Sequence, residues 1–162
     1  MRMAKAVKTN ALRMLDKAKI PYRTIEYEVD ENHICGEDVA MKTGLPLEQV
    51  FKTIVLKGER NGYVVFCLPV NKELDLKKAA AAIKDKRVEL IAVKDLLKIT
   101  GYIRGGCSPV GMKKKFPTYM DYTAEQFEEI SVSAGVRGCQ MIVNAKQLIA
   151  YTKSTLVNVT ED

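Results

Sequence analysis

Apolar residues recur along this chain with two periods, and the period switches several times. Ala11, Leu12, Leu15 and Ala18 share one face of a helix that Thr9 or Asn10 can cap and that Pro21 follows. Ile25, Tyr27 and Val29 then alternate with charged residues, the pattern of a half-buried strand. Residues 37–43 read as a short helix closed by Gly44, and Pro46 suits the first turn of another. Residues 51–56 and 63–68 are apolar, β-branched-rich runs separated by Gly58-Glu59-Arg60-Asn61-Gly62, which predicts a hairpin. Asp75 precedes Leu76, Ala79, Ala80 and Ile83, a capped amphipathic helix. A strand over 87–91 and a helix over 93–99 ending near Gly101 come next. Beyond a loop over 105–115, strands are predicted at 118–121, 129–133 and 140–143. Asn144 can cap a helix through Tyr151, and residues 155–159 alternate as a last strand. Helices and strands mix without a regular βαβ rhythm, so the expected class is α+β, with a mixed, strongly curled sheet. With 162 residues and no repeat, low-complexity tract or linker, one domain spanning 1–162 is expected.

Two places in this pattern break the expected chemistry. Alternation puts Lys52 on the same strand face as Ile54 and Leu56, with Phe51, Thr53 and Val55 on the other. A lysine on an apolar face must reach water, find an anion or lose its charge. At a pocket rim it does the first two by binding a substrate anion; otherwise it snorkels at a strand end. The second place is Gly105-Gly106-Cys107-Ser108-Pro109-Val110-Gly111-Met112-Lys113-Lys114. Its glycines let a backbone approach a ligand and aim amides at it, although the same composition also makes a plain surface turn. The loop has no Walker A ending, and two residues rather than one separate Ser108 from Gly111, so it is not a nucleophile elbow. Ser131-Val132-Ser133-Ala134-Gly135-Val136-Arg137-Gly138 reads as a strand entering a glycine turn, from which Ser133 can offer a hydroxyl.

Composition narrows the partners. The net charge of +6 and pI near 9.1 favour a polyanion such as nucleic acid or a phosphate-bearing ligand. The run Lys113-Lys114-Lys115 would act through phosphates and be salt-sensitive. No stretch approaches the ~20 apolar residues of a membrane span, and no apolar segment follows the basic start, so the cytoplasm is expected. Cys35, Cys67, Cys107 and Cys139 form no C-x-x-C pair, which fits free thiols in a reducing compartment. A metal site would need these scattered cysteines and the single histidine, His33, so no metal is expected. A histidine-based triad is disfavoured for the same reason.

The segments Gln49-Val50-Phe51-Lys52-Thr53, Leu74-Asp75-Leu76-Lys77-Lys78-Ala79, Thr100-Gly101-Tyr102 and the loop from Gly105 to Lys114 resemble, in order, those of YbaK-type proteins. Ser131 to Gly138 resembles that family's serine-glycine turn, and the likeness covers nearly the whole chain. It implies a single α+β domain with a barrel-like mixed sheet, no metal, no cofactor and no protein nucleophile. It also implies trans-editing: removal of cysteine from Cys-tRNA(Pro), and often from Cys-tRNA(Cys). In the family the strand lysine is the functional one, and Lys52 matches it. Tyr27, Thr53, Gly106 and Ser133 match other pocket positions, and Gly105 with Gly106 would supply backbone contacts. Three positions depart from the pattern: Cys35 for a phenylalanine, Cys107 for an aliphatic residue and Ala134 for a glycine. Cys35 and Ala134 are expected to reshape the amino-acid pocket.

The resemblance implies a mechanism in which the substrate's own thiol attacks the ester, so that the enzyme contributes orientation and electrostatics. The partners implied are aminoacyl-tRNA and a synthetase, prolyl-tRNA synthetase, that supplies tRNA selectivity. The alternatives are a deacylase for another amino acid, such as alanine on tRNA(Pro); a non-catalytic tRNA- or aminoacyl-nucleotide-binding module; and a small-molecule phosphate-binding protein.

Overall fold

A computed structural model describes residues 8–29 and 36–162. His33 and Cys35 lie outside them. Helix α1 (Asn10–Lys17) starts where Thr9 Oγ1 accepts the Leu12 N–H at 3.2 Å, and it buries Ala11, Leu12 and Leu15. Strand β1 (Tyr22–Glu26) and helix α2 (Gly36–Thr43) follow. The strand expected through Val29 ends earlier, although Tyr27 N–H still donates to Gly138 O at 2.9 Å. Pro46 caps a single 3-10 turn, Leu47–Gln49, rather than a helix. The chain must extend immediately afterwards, because Val50 bridges to Ser131 and its C=O accepts the Val70 N–H at 2.8 Å.

Strands β2 (Phe51–Gly58) and β3 (Gly62–Pro69) form the predicted hairpin. Helix α3 (Leu76–Ala82) starts at Asp75, whose carboxylate accepts from Lys77 N and Lys78 N. Strand β4 (Val88–Leu90) and helix α4 (Val93–Thr100) come next; the helix closes on Gly101 at φ +88°. Then follow β5 (Thr118–Asp121), a 3-10 turn, β6 (Glu129–Ser133), β7 (Cys139–Asn144), α5 (Ala145–Thr152) and β8 (Thr155–Val157). Asn144 caps α5 by accepting the Gln147 N–H at 2.9 Å.

The strands form two sheets. One is antiparallel, ordered β1-β7-β6; the other is mixed, ordered β4-β2-β3-β5-β8, with β3-β5 and β5-β8 parallel. The Val50–Ser131 bridge joins them at a corner, so the strands curl around α1 without closing into a barrel. The mixed α+β architecture is as expected; the sheet is split in two. The hairpin of β2 and β3 explains its own composition. Phe51, Val55, Val65 and Cys67 face the core beneath α1 and α5, while Leu56, Val64 and Phe66 face a second core under α3. Both faces are buried, not one, which is why these runs are nearly continuous in apolar residues. No described helix is long and apolar enough to cross a membrane.

One partly exposed carboxylate holds the hairpin's turn. Asp85 accepts main-chain N–H groups of Arg60 and Asn61 at 3.0 Å, the Asn61 side-chain amide at 3.0 Å and Lys86 N–H at 2.7 Å. Desolvation alone would raise its pKa, but these donors outweigh it and hold the carboxyl at about 2, against 3.8 ordinarily. A depressed carboxyl stabilises the fold above its unfolded value and ceases to do so as pH falls through the folded one. Asp85→Ala should therefore lower Tm at pH 7. The gap from wild type should narrow between about pH 4 and pH 2. Thermal melts across that window test this; a constant gap would contradict it.

Candidate active site

Strand β2 has β3 along one edge throughout. Along the other edge it meets β6 at the Val50–Ser131 bridge and β4 only from Leu56 to Gly58. Between these contacts, among the described residues, no strand pairs with it. A cleft of about 610 Å³ lies along this open stretch and is lined by all five residues from Phe51 to Val55. That volume suits a small ligand or the end of a larger one.

The sequence-predicted residues converge on this cleft with one exception. Lys52, Tyr27, Thr53, Gly105 and Ser133 line it. Lys52 is partly buried and its ammonium makes no hydrogen bond or ion pair with any described residue, so it is available to an anion. On the face of the strand opposite to Lys52, Thr53 Oγ1 lies 3.7 Å from Cys67 Sγ. Ser133 Oγ accepts the Gly135 N–H at 3.1 Å, which leaves its own proton free to donate. Burial raises the Tyr27 hydroxyl above its ordinary pKa, with Gln140 and Gly138 bonding in the opposite sense.

Gly106 is the exception: it is buried and does not line the cleft. A Cβ there would stand 3.1 Å from the main-chain N of Arg137 and 3.1 Å from the Val136 carbonyl carbon. Its role is close packing of the glycine loop on the turn after β6. Other contacts hold the same arrangement. Tyr102 hydroxyl donates to Val110 O, Arg137 Nε donates to Arg104 O at 2.7 Å, and Thr9 Oγ1 donates to Ala134 O at 2.6 Å. Ala134 is fully buried, and its methyl group packs in the core under α1 rather than lining the cleft. Ser108 is fully buried, with its Oγ accepting the Val110 N–H at 3.3 Å, and cannot serve as a nucleophile.

Several lining residues were not singled out from sequence. Lys42, Arg104 and Arg137 join Lys52 around the cleft, against one lining carboxylate, Asp38. The signal for them was present only as net charge; which cations converge depends on loops 104–107 and 133–138 meeting. Gln140 also lines the cleft, its Oε1 accepting the Ser131 hydroxyl at 2.8 Å, which turns its amide nitrogen away from that bond. Cys107 lines the wall, and burial, with Cys67 nearby, pushes its thiol up to about 12. Burial likewise pushes Cys67 up to about 12. Both thiols are protonated at neutral pH, so neither is a ready nucleophile. Among the described residues no group of three or more His, Cys, Asp or Glu side chains could hold a metal.

Gly106→Ala should force the loop and the turn apart. A displacement near 1 Å in a positioning element costs roughly 10²-fold in rate, so turnover should fall by about that factor while the fold survives. Activity assays beside circular dichroism check this; an unchanged rate would remove the packing role.

A family model described as the aminoacyl-tRNA editing domain matches residues 33–151. An Enterococcus faecalis protein named "Putative Cys-tRNA(Pro)/Cys-tRNA(Cys) deacylase EbsC" is 46% identical over 94% of this chain and 93% of its own length. A Thermosipho melanesiensis protein named proline–tRNA ligase is 32% identical over 58% of this chain but only 18% of its own length. A solved structure of "a putative trans-editing enzyme for prolyl tRNA synthetase" superposes with TM-score 0.81 at 22% identity, covering 94% of this chain and 93% of that one, and so shares the fold.

Proposed function

Because this chain belongs to the aminoacyl-tRNA editing domain family, we propose that it is a trans-editing deacylase that removes cysteine from mischarged Cys-tRNA(Pro), with Cys-tRNA(Cys) as a second substrate. The observation that carries the chemistry is the make-up of the cleft. It combines an unpaired lysine and three further cations with one lining thiol, Cys107, that burial keeps protonated, and a serine hydroxyl engaged in a turn. Such a site binds an anionic substrate end and orients it; it does not supply an attacking atom.

In the proposed reaction the substrate supplies that atom. The cysteinyl thiolate attacks its own ester carbonyl, forming the C–S bond of a four-membered thiolactone. The C–O bond to the terminal ribose breaks, and the ribose oxygen takes up the proton that the thiol gave to solvent. The thiolactone then hydrolyses in water to cysteine. Lys52 holds the terminal nucleotide's phosphate near the reacting ester and offsets the negative charge that develops there. Tyr27 and Ser133 bound the space in which the aminoacyl group folds back on itself. Arg104 and Arg137 extend the positive surface to the phosphates of the single-stranded end. A cleft of about 610 Å³ holds one aminoacyl-adenosine rather than a tRNA body. Selectivity among tRNAs therefore falls to a partner, for which prolyl-tRNA synthetase is proposed.

Lys52→Ala should lower kcat/KM for Cys-tRNA by roughly 10²-fold, the usual cost of removing one group that stabilises developing charge. Full activity in that variant would refute the assignment. A panel of Cys-, Ala-, Ser- and Pro-tRNA should show fast cleavage of the cysteinyl ester alone, with thiolactone trapped as product. Equal cleavage of Ala-tRNA(Pro) would replace the thiol mechanism by a water-based one. Salt-sensitive tRNA binding without any cleavage would make the protein a binding module.

A further inference from the structure

The open edge of β2 has a polarity that the ladder sets. Val70 N–H donates to Val50 O at 2.8 Å, one half of a hydrogen-bonded antiparallel pair that continues the register of Phe51 with Pro69, while Val50 N–H turns to Leu47 O at 3.3 Å. Hydrogen-bonded and non-bonded pairs alternate along such a ladder. Lys52, Ile54 and Leu56 therefore direct their main-chain groups towards β3, and Phe51, Thr53 and Val55 direct theirs away from it. The far edge confirms the parity: Glu59 N–H donates to Arg87 O at 3.1 Å, in register with the pairing of Lys57 and Glu89. Thr53 thus aims both its N–H and its C=O into the cleft. It stands midway between the bridge at Val50 and the first β4 pair at Leu56, and neither group has a hydrogen-bond partner among the described residues. The five residues of this gap span about 16 Å of edge, ample for one further residue to pair.

We propose that the cleft binds the aminoacyl group of its substrate as a one-residue strand added to β2 at Thr53. An aminoacyl ester carries the two groups that a residue brings to a bonded antiparallel pair: an N–H donor and a carbonyl acceptor on one α-carbon. The α-ammonium donates to Thr53 C=O, and the ester carbonyl accepts the Thr53 N–H. Directly opposed residues place their side chains on the same face of the sheet. The substrate side chain therefore lies on the Thr53 face, where Cys107 lines the wall and Thr53 Oγ1 meets Cys67. Lys52 stands on the opposite face, clear of the side chain. The same Thr53 N–H points at the oxygen whose negative charge grows as the carbonyl is attacked, so it is an oxyanion donor as well as a binding group. This makes a main-chain group at position 53 a catalytic element that no side-chain substitution would reveal.

The inference rests on the deacylase reading, and the test separates the two. The first arm replaces the residue-53 amide by an ester, using the α-hydroxy analogue of threonine introduced by nonsense suppression; this deletes the N–H and keeps the side chain. The second arm uses wild-type protein with tRNA esterified by 3-mercaptopropionate, which has the thiol and carbonyl of cysteine but no α-amine. Each catalysed rate is divided by the uncatalysed cleavage rate of the same ester. The backbone ester should reduce the acceleration of Cys-tRNA cleavage by roughly 10²-fold with a melting curve that still shows a folded protein. The des-amino substrate should lose about 10-fold, the cost of one charge-assisted hydrogen bond. Wild-type acceleration in both arms would overturn the strand-edge proposal and leave the deacylase reading standing. A protein that cleaves no aminoacyl-tRNA would overturn both.

Discussion

A strand edge can pair with one neighbour at a time, and the outer edge of β2 changes neighbour. At Val50 it touches β6; from Leu56 to Gly58 it pairs with β4. The two neighbours belong to different sheets and diverge, because the hairpin of β2 and β3 is buried on both faces between two cores. The cleft is the space this divergence leaves. Its floor is therefore rigid main chain, held by β3 along its whole length, and its walls are loops that the two cores bring together.

The walls are held as closely as the floor. The glycine loop packs main chain to main chain on the turn after β6, an approach that only a residue without a Cβ allows at Gly106. Thr9 caps α1 with its Oγ1 and donates from the same atom to Ala134 O, so the first helix is tied to that turn. Tyr102 fixes the far side of the loop through Val110 O. These contacts set where Arg104, Gly105 and Cys107 stand relative to Ser133 and Arg137.

The chemistry of the cleft follows from what is charged and what is kept neutral. Its cations face one lining carboxylate among the described residues, while its lining thiol, Cys107, is protonated. A site of this kind gathers an anionic ligand and leaves its own side chains unreactive. It accelerates a reaction whose attacking atom arrives with the substrate, because what it provides is geometry and a donor-rich surface.

Sequence alone determined most of the elements. Helix caps at Thr9, Asp75 and Asn144, the hairpin between Phe51 and Leu68, and the αL glycine ending α4 are local events whose energetics are contained within a few residues. Lys52, Tyr27, Thr53, Gly105 and Ser133 were legible as cleft residues because their surrounding motifs resemble a known family in the same order. Their convergence was not written in any one motif. Gly106 and Ala134 read from sequence as pocket positions, yet their surroundings are a neighbouring loop and a core, which only packing between distant segments decides. The cationic rim of Lys42, Arg104 and Arg137 was visible merely as net charge, because residues on a helix and two loops acquire a common direction only when those segments meet. The open edge at Thr53 was wholly a tertiary result. Period-two alternation assigns side chains to faces, but which strand lies beside β2, and where that strand stops, is set by the split between two cores.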